Sequence, residues 1–293
     1  MERKHFLKYL AALPLTAITM KLDTFNKMTE PFKPTPLMPV LFLGHGSPMN
    51  AIEDNEFVQG FKRIALQIPK PNAILCISAH WETRGTYVTA MENPPTIHDF
   101  GGFPKALFEV QYPAPGSPDL ARETQSLIHK ADIKLDDKWG LDHGAWSVIK
   151  HLYPDADIPV VQMSLDYFQN PLYHYELARE LQSLRQKGVL IIGSGNMVHN
   201  LGMVEWKRLN ETYGFDWALE ANDKMKQFIL NDDHPSLIHF SKQGKAFQMA
   251  IPSAEHYLPL LYALALKNPN EPVAFFNDKP VAGSLTMTSV KIG

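Results

Sequence analysis

The chain has 293 residues, 45% of them hydrophobic and 20% charged, with a formal net charge of −3. This balance belongs to a globular protein with ample core, and it excludes a strongly basic face for nucleic acid or membrane. The lone cysteine, Cys76, sits inside an apolar run; with no internal partner it is expected as a reduced core thiol.

Residues 1–37 stand apart from the rest. MERKHFLKYLAALPLTAITM places basic residues before an apolar stretch too short to span a bilayer. Arg3-Lys4-His5-Phe6-Leu7-Lys8 resembles a degenerate twin-arginine export signal, yet Pro14 interrupts the apolar stretch and no small-x-small cleavage site is evident. The expectation is an N-terminal extension on a cytoplasmic protein, with export to the periplasm as the alternative. Pro31, Pro34, Pro36 and Pro39 mark a linker to the folded body, residues 38–293.

In that body, strands are expected at residues 40–43, 73–78, 160–165, 189–193, 273–276 and 284–290. Helices are expected at 55–67, 119–131, 171–187, 217–230 and 254–266, the third from the spacing of Leu177, Leu181 and Leu184. Most of the first four strands are near-continuous apolar runs, as for strands covered on both faces. Their alternation with helices predicts a single α/β domain, a central, mostly parallel sheet flanked by helices. No repeat or low-complexity tract divides it.

Three of these strands lead to a histidine. Val40-Leu41-Phe42-Leu43-Gly44 runs into His45, Ile74-Leu75-Cys76-Ile77-Ser78-Ala79 into His80, and Leu190-Ile191-Ile192-Gly193-Ser194-Gly195-Asn196 is followed three residues later by His199. His256 opens the fifth expected helix. In open α/β sheets, ligands gather at the carboxyl ends of strands, so His45, His80, His199 and His256 are the candidate metal ligands. One histidine beside a strand is usually structural; several at the same edge point to a site. Neutral imidazoles suit one divalent metal, Fe(2+) or Zn(2+). Gly44, Gly46, Gly193 and Gly195 are expected to leave room for close approach around it. Ser47, Ser78, Asn196 and Asn200 are near enough in sequence to orient the rings. His5, His129, His151, His174, His234 and His239 show no such pattern and are expected at the surface.

Two further segments look built for a ligand. MENPPTIHDFGGFP (91–104) carries His98 and Asp99 in a Pro- and Gly-rich aromatic loop suited to covering a pocket. WGLDHGAW (139–146) places Asp142 and His143 between two tryptophans, ahead of a helix. His98, Asp99 and Asp142 are thus candidate substrate-binding groups, and His143 and His199 candidate catalytic acid/base residues. Glu255 is a further candidate ligand; on a helix it would project about 100° from His256, so both cannot easily reach one metal. There is no GxGxxG, P-loop, HExxH or paired CxxC.

Taken together, GHGSPMN (44–50), SAHWETRG (78–85), PPTIHDFGGFP (94–104), YPAPGSP (112–118), DHGAW (142–146), GSGNMVHN (193–200) and EHYLPLLY (255–262) resemble the class III extradiol ring-cleavage dioxygenases, in the DOPA 4,5-dioxygenase branch. The resemblance covers residues 38–293. It implies an α/β fold, one non-haem metal, and a reaction that inserts both atoms of O2 into a catechol. The implied metal positions are His45, His80 and His256, with His199 a further ligand or the acid/base. Extradiol enzymes usually present two histidines and a carboxylate, so whether His256 or Glu255 binds is left open. The implied partners are a small catechol and O2, with no nucleic acid and no membrane span, on a monomer or small homo-oligomer. The same cluster would also serve a zinc hydrolase, or a ligand-binding protein without turnover.

Overall fold

In the computed structural model, residues 35–209 and 211–293 are described; most of the expected N-terminal extension, with its export-like segment, lies outside them. The chain order is β1 (Val40–Gly44), α1 (Glu56–Ala65), β2 (Ala73–Thr83), β3 (Thr86–Thr89), α2 (Lys105–Phe108), α3 (Pro118–Leu127), β4 (Ile133–Asp136), α4 (His143–Leu152), β5 (Val160–Asp166) and α5 (Pro171–Arg179). It continues with β6 (Val189–Gly195), α6 (Asp216–Leu230), α7 (His234–Ile238), α8 (Lys245–Ala250), α9 (Leu258–Ala265), β7 (Val273–Phe276), β8 (Pro280–Val281), β9 (Leu285–Thr286) and β10 (Ser289–Ile292).

Eight strands form one sheet in the order β4-β3-β5-β2-β6-β1-β10-β7. The four central strands, β5, β2, β6 and β1, run parallel. Antiparallel pairings join β3 to β5, β10 to β1 and β7 to β10. The expected α/β domain with a mostly parallel sheet is therefore observed. Strands β1, β5 and β6 are buried along their whole length, which explains their largely apolar sequences; the buried Gln162 and Ser164 of β5 are hydrogen-bonded, to Asp142 and to Tyr87 N. Phe61 of α1 and Trp146 of α4 join Leu41, Leu43, Ile74 and Ile192 in one core cluster.

Helix starts follow local chemistry. Asn55, Ser117, Asp142 and Asn170 each accept a backbone N–H with the side chain, and Pro118 and Pro171 occupy the first turn. Two expectations need correction. The helix expected over 171–187 stops at Arg179, and a 3-10 stretch, Gln182–Lys187, follows; the three-residue step from Leu181 to Leu184 fits that tighter winding. The strand expected over 284–290 is broken in two. Leu285–Thr286 closes a hairpin with Pro280–Val281, whereas Ser289–Ile292 joins the main sheet. Among the described residues, no helix is long and apolar enough to cross a membrane.

The amino edge of the sheet is pinned by Arg185, whose side chain is fully buried. Its guanidinium donates to Met38 O (2.7 Å) and Leu266 O (2.5 Å) and pairs with both Glu271 carboxylate oxygens. One charge thus ties together the approach to β1, the end of α9 and the approach to β7. Arg185→Met is expected to lower unfolding stability by about 3 kcal/mol, because Glu271 is left without its counter-charge. A fall in the urea midpoint at unchanged slope is the measurement that checks this.

Candidate metal centre

The carboxyl edge of the same sheet carries the histidines. His45 directly follows β1 and is held by backbone bonds: its N–H donates to Gly195 O (3.0 Å), and Asn50 Nδ2 donates to its carbonyl (2.9 Å). His80 lies within β2, which runs on to Thr83 past a register shift between Ile77 and Glu82. His256 sits in a turn before α9, so the helical argument separating it from Glu255 does not apply.

Glycines bring these segments together, though not as the sequence suggested. A Cβ on Gly195 would overlap His256 O, and one on Gly193 would overlap Pro259 O. Their bareness lets the 256–259 segment lie on β6, where Asn196 N donates to His256 O at 2.9 Å. Gly44 and Gly46, expected to clear space around a metal, instead admit Met287: a Cβ on Gly44 would lie 2.6 Å from its carbonyl oxygen, and one on Gly46 would overlap its sulfur.

The ring nitrogens of His45, His80 and His256 lie within 4.8 Å of one another, and His45 Nε2 is 3.2 Å from His80 Nε2. Behind each ring stands an oxygen. His45 Nδ1 is 3.0 Å from Ser194 Oγ, His80 Nδ1 is 3.6 Å from Asp99 Oδ2, and His256 Nδ1 is 3.1 Å from Glu255 Oε1. Ser47, Ser78, Asn196 and Asn200, the orienting residues expected from sequence proximity, are engaged elsewhere, with Met49 N, Asp142, Thr286 O and Met249 O respectively.

The other candidates fall into place around this group. His143 opens α4, and its ring centroid is 3.9 Å from that of His80. Asp99 Oδ1 accepts the His143 backbone N–H (2.8 Å), while Oδ2 lies 3.0 Å from His143 Nδ1, off the line of a hydrogen bond. His199 is not in the three-ring group. It stacks on His256 at 3.5 Å and 10°, and its own donor atom clusters with Glu255 and His256. His98 is engaged elsewhere: its Nε2 contacts Val110 O at 2.9 Å, and its ring packs near Phe100, Phe108 and Trp146.

Further sequence expectations fail here. Asp142 cannot meet a substrate, because it is fully buried; its carboxylate caps α4 at Ala145 and accepts from Ser78 Oγ (2.7 Å) and Gln162 Nε2 (2.7 Å). His174 is a core residue rather than a surface one, with Nδ1 3.1 Å from the Tyr262 hydroxyl. His151 and His234 are half-buried, and only His129 and His239 of the described expected surface histidines are exposed. Cys76 is buried as expected, and burial pushes its thiol well up.

Burial sets the protonation of the cluster. It drives His45 and His256 well below the ordinary 6.5, with the neighbouring imidazoles adding to the shift. His80 is lowered to about 3 by burial and then by His143, against Asp99 and Glu255. Burial lowers His199 to about 4. Neutral rings are the form that ligates metal. Burial alone would raise the Asp99 carboxyl, but its contacts with His143 outweigh this and hold it below the usual range.

The donor set fits one divalent ion. Two ring nitrogens 3.2 Å apart in a buried site crowd their lone pairs unless a cation lies against both, and a third imidazole nitrogen faces the same space.

Fold and site together define an α/β protein with a three-imidazole centre at the carboxyl edge of its sheet. The family model described as the catalytic LigB subunit of aromatic ring-opening dioxygenase matches residues 39–277. A 4,5-DOPA dioxygenase extradiol of Escherichia coli K12 is 45% identical over 87% of this chain and 95% of its own length. Enzymes of the same name are 34% identical in Mirabilis jalapa, over 78% of this chain and 87% of theirs, and in Beta vulgaris, over 85% and 94%. A crystal structure of an uncharacterized protein from E. coli K12 superposes with a TM-score of 0.76 at 40% identity, covering 87% of this chain and all of that one. The chain belongs to the LigB family and is a metal-dependent extradiol ring-cleaving dioxygenase.

Gly195→Ala is expected to push the His256 carbonyl off Asn196 and cost about 1–3 kcal/mol. The checks are the unfolding midpoint and the His256 ring resonances, which are expected to move more than those of His45.

Proposed function

We propose that this enzyme opens the ring of a catechol with a DOPA-like side chain, using one Fe(II) held by the Nε2 atoms of His45, His80 and His256. The observation that carries the reading is the convergence of one ring nitrogen from each of these three histidines within 4.8 Å, with an oxygen beside Nδ1 of every ring. On this reading Glu255 orients His256 rather than binding, which replaces the usual carboxylate ligand with a third imidazole. The substrate assignment is supported by relatives named for 4,5-DOPA cleavage that align over most of the chain. When bound, the ion supplies Lewis-acid charge for the catecholate and redox chemistry for O2.

The protein's own groups handle protons, position and water. His143, backed by Asp99 at 3.0 Å, takes a proton from the catechol hydroxyl and returns it during ring opening. Asp99 holds the His143 backbone through its other oxygen, so the loop carrying it is clamped to the start of α4. His199 keeps the plane of His256 by stacking at 3.5 Å and is the second proton-carrying candidate. Phe100 stands edge-on to His143 at 5.5 Å, packed against Phe103 and Phe108. It forms an apolar wall for the substrate ring and excludes water from the reacting face.

The test is O2 uptake by protein loaded anaerobically with Fe(II), across a panel of catechols including DOPA. The expected result is stoichiometric O2 consumption with formation of a yellow ring-opened product. His143→Gln is expected to lower kcat by about 10²–10⁴-fold with iron content retained, whereas His256→Ala loses the iron. No turnover across the panel with confirmed iron loading would overturn the reading. Activity with zinc on esters or amides in the absence of O2 would replace it by a hydrolase.

A further inference from the structure

We infer that Ser194 is the positioning residue that fixes the ring proton of His45 on Nδ1, and so aims the Nε2 lone pair of that ring into the centre. Ser194 lies in β6 beside Leu43 of β1 and is fully buried. Its hydroxyl has one proton and two lone pairs. Ser194 Oγ is 2.5 Å from Gly144 O, and a hydroxyl and a carbonyl oxygen this close have the proton between them, because Gly144 O has none to give. The side of Oγ facing His45 Nδ1 at 3.0 Å is therefore an acceptor. Nδ1 must carry the hydrogen, and Nε2 is left bare.

The other two rings have no such device. Asp99 and Glu255 are carboxylates and accept from any N–H placed before them, so charge attracts the Nδ1 proton there. Ser194 is neutral and would donate to a bare Nδ1 equally well. Only the commitment of its proton to Gly144 O makes it a one-way acceptor. Gly144 follows His143 in α4, so this hydroxyl also links His45 to the helix that presents the proposed proton carrier. Without Ser194, His45 would be free to hold its proton on Nε2 and donate it to His80 Nε2, 3.2 Å away. That bond would occupy the two lone pairs a metal needs.

The inference rests on the reading of His45 as a ligand, and its test uses neither catechol nor O2. Metal-free protein with ¹⁵N-labelled histidine is examined by long-range proton–nitrogen correlation, with His45 assigned by its loss in His45→Gln. Co(II) affinity is then titrated by absorption at neutral pH. Wild type is expected to show His45 protonated on Nδ1. Ser194→Ala is expected to move the proton to Nε2 and weaken Co(II) by about 10–100-fold, and Ser194→Thr, which keeps the hydroxyl, restores both. An Nε2–H tautomer in the wild type would overturn the inference, and this result stands even if Ser194→Ala does not fold. So would a folded Ser194→Ala with unchanged tautomer and Co(II) affinity, however much its stability drops. A protein that behaves as expected here but cleaves no catechol would sink the substrate reading alone.

Discussion

The site depends on a single kind of contact repeated three times: an oxygen behind an imidazole. A histidine ring has two similar nitrogens, and either can carry the proton in the neutral form. Burial keeps the His45, His80 and His256 rings neutral, so the choice of nitrogen is the remaining freedom. Ser194 and Glu255 stand within hydrogen-bond reach of Nδ1 of His45 and His256 and remove it there, while Asp99, 3.6 Å from Nδ1 of His80, biases that ring by charge. The inward nitrogens then become a preorganised donor set, and no side chain has to reorganise for the metal to enter.

The rest of the fold serves this by dividing labour between the two edges of the sheet. At the amino edge, Arg185 joins three chain segments and contributes stability away from the chemistry. At the carboxyl edge, β1 and β2 deliver His45 and His80 directly. His256 arrives from far along the chain and rests on a strand stripped of side chains at Gly193 and Gly195. The constraint there is backbone against backbone, which is less adjustable than side-chain packing.

Much of this was legible in the sequence, for physical reasons. Doubly covered strands are largely apolar, so β1, β2, β5 and β6 stand out in the sequence, and with them His45 after β1, His80 late in β2 and His199 after β6. Short strands interrupted by polar residues carry no such signature: Thr86–Thr89 (TYVT) and Ile133–Asp136 (IKLD) are four residues each, and neither is expected from the sequence. The burial of His174 is legible in its spacing, since it shares one buried face with Leu177, Ala178 and Leu181. Ser194 had none. Its contact with His45 comes from β6 lying next to β1, and strand order is a property of the whole sheet. The roles of Gly44 and Gly46 are illegible for a similar reason, because the segment they admit, at Met287, lies more than two hundred residues away.

The most direct measurement of the central claim is X-ray absorption at the iron edge on anaerobically Fe(II)-loaded protein without substrate, comparing wild type with Glu255→Gln. Three histidine ligands aimed by outer oxygens predict multiple-scattering features for three imidazoles in the wild type, and the same count in Glu255→Gln with weaker iron retention. Two imidazoles and a carboxylate in the wild type, with the carboxylate lost in Glu255→Gln, would contradict it.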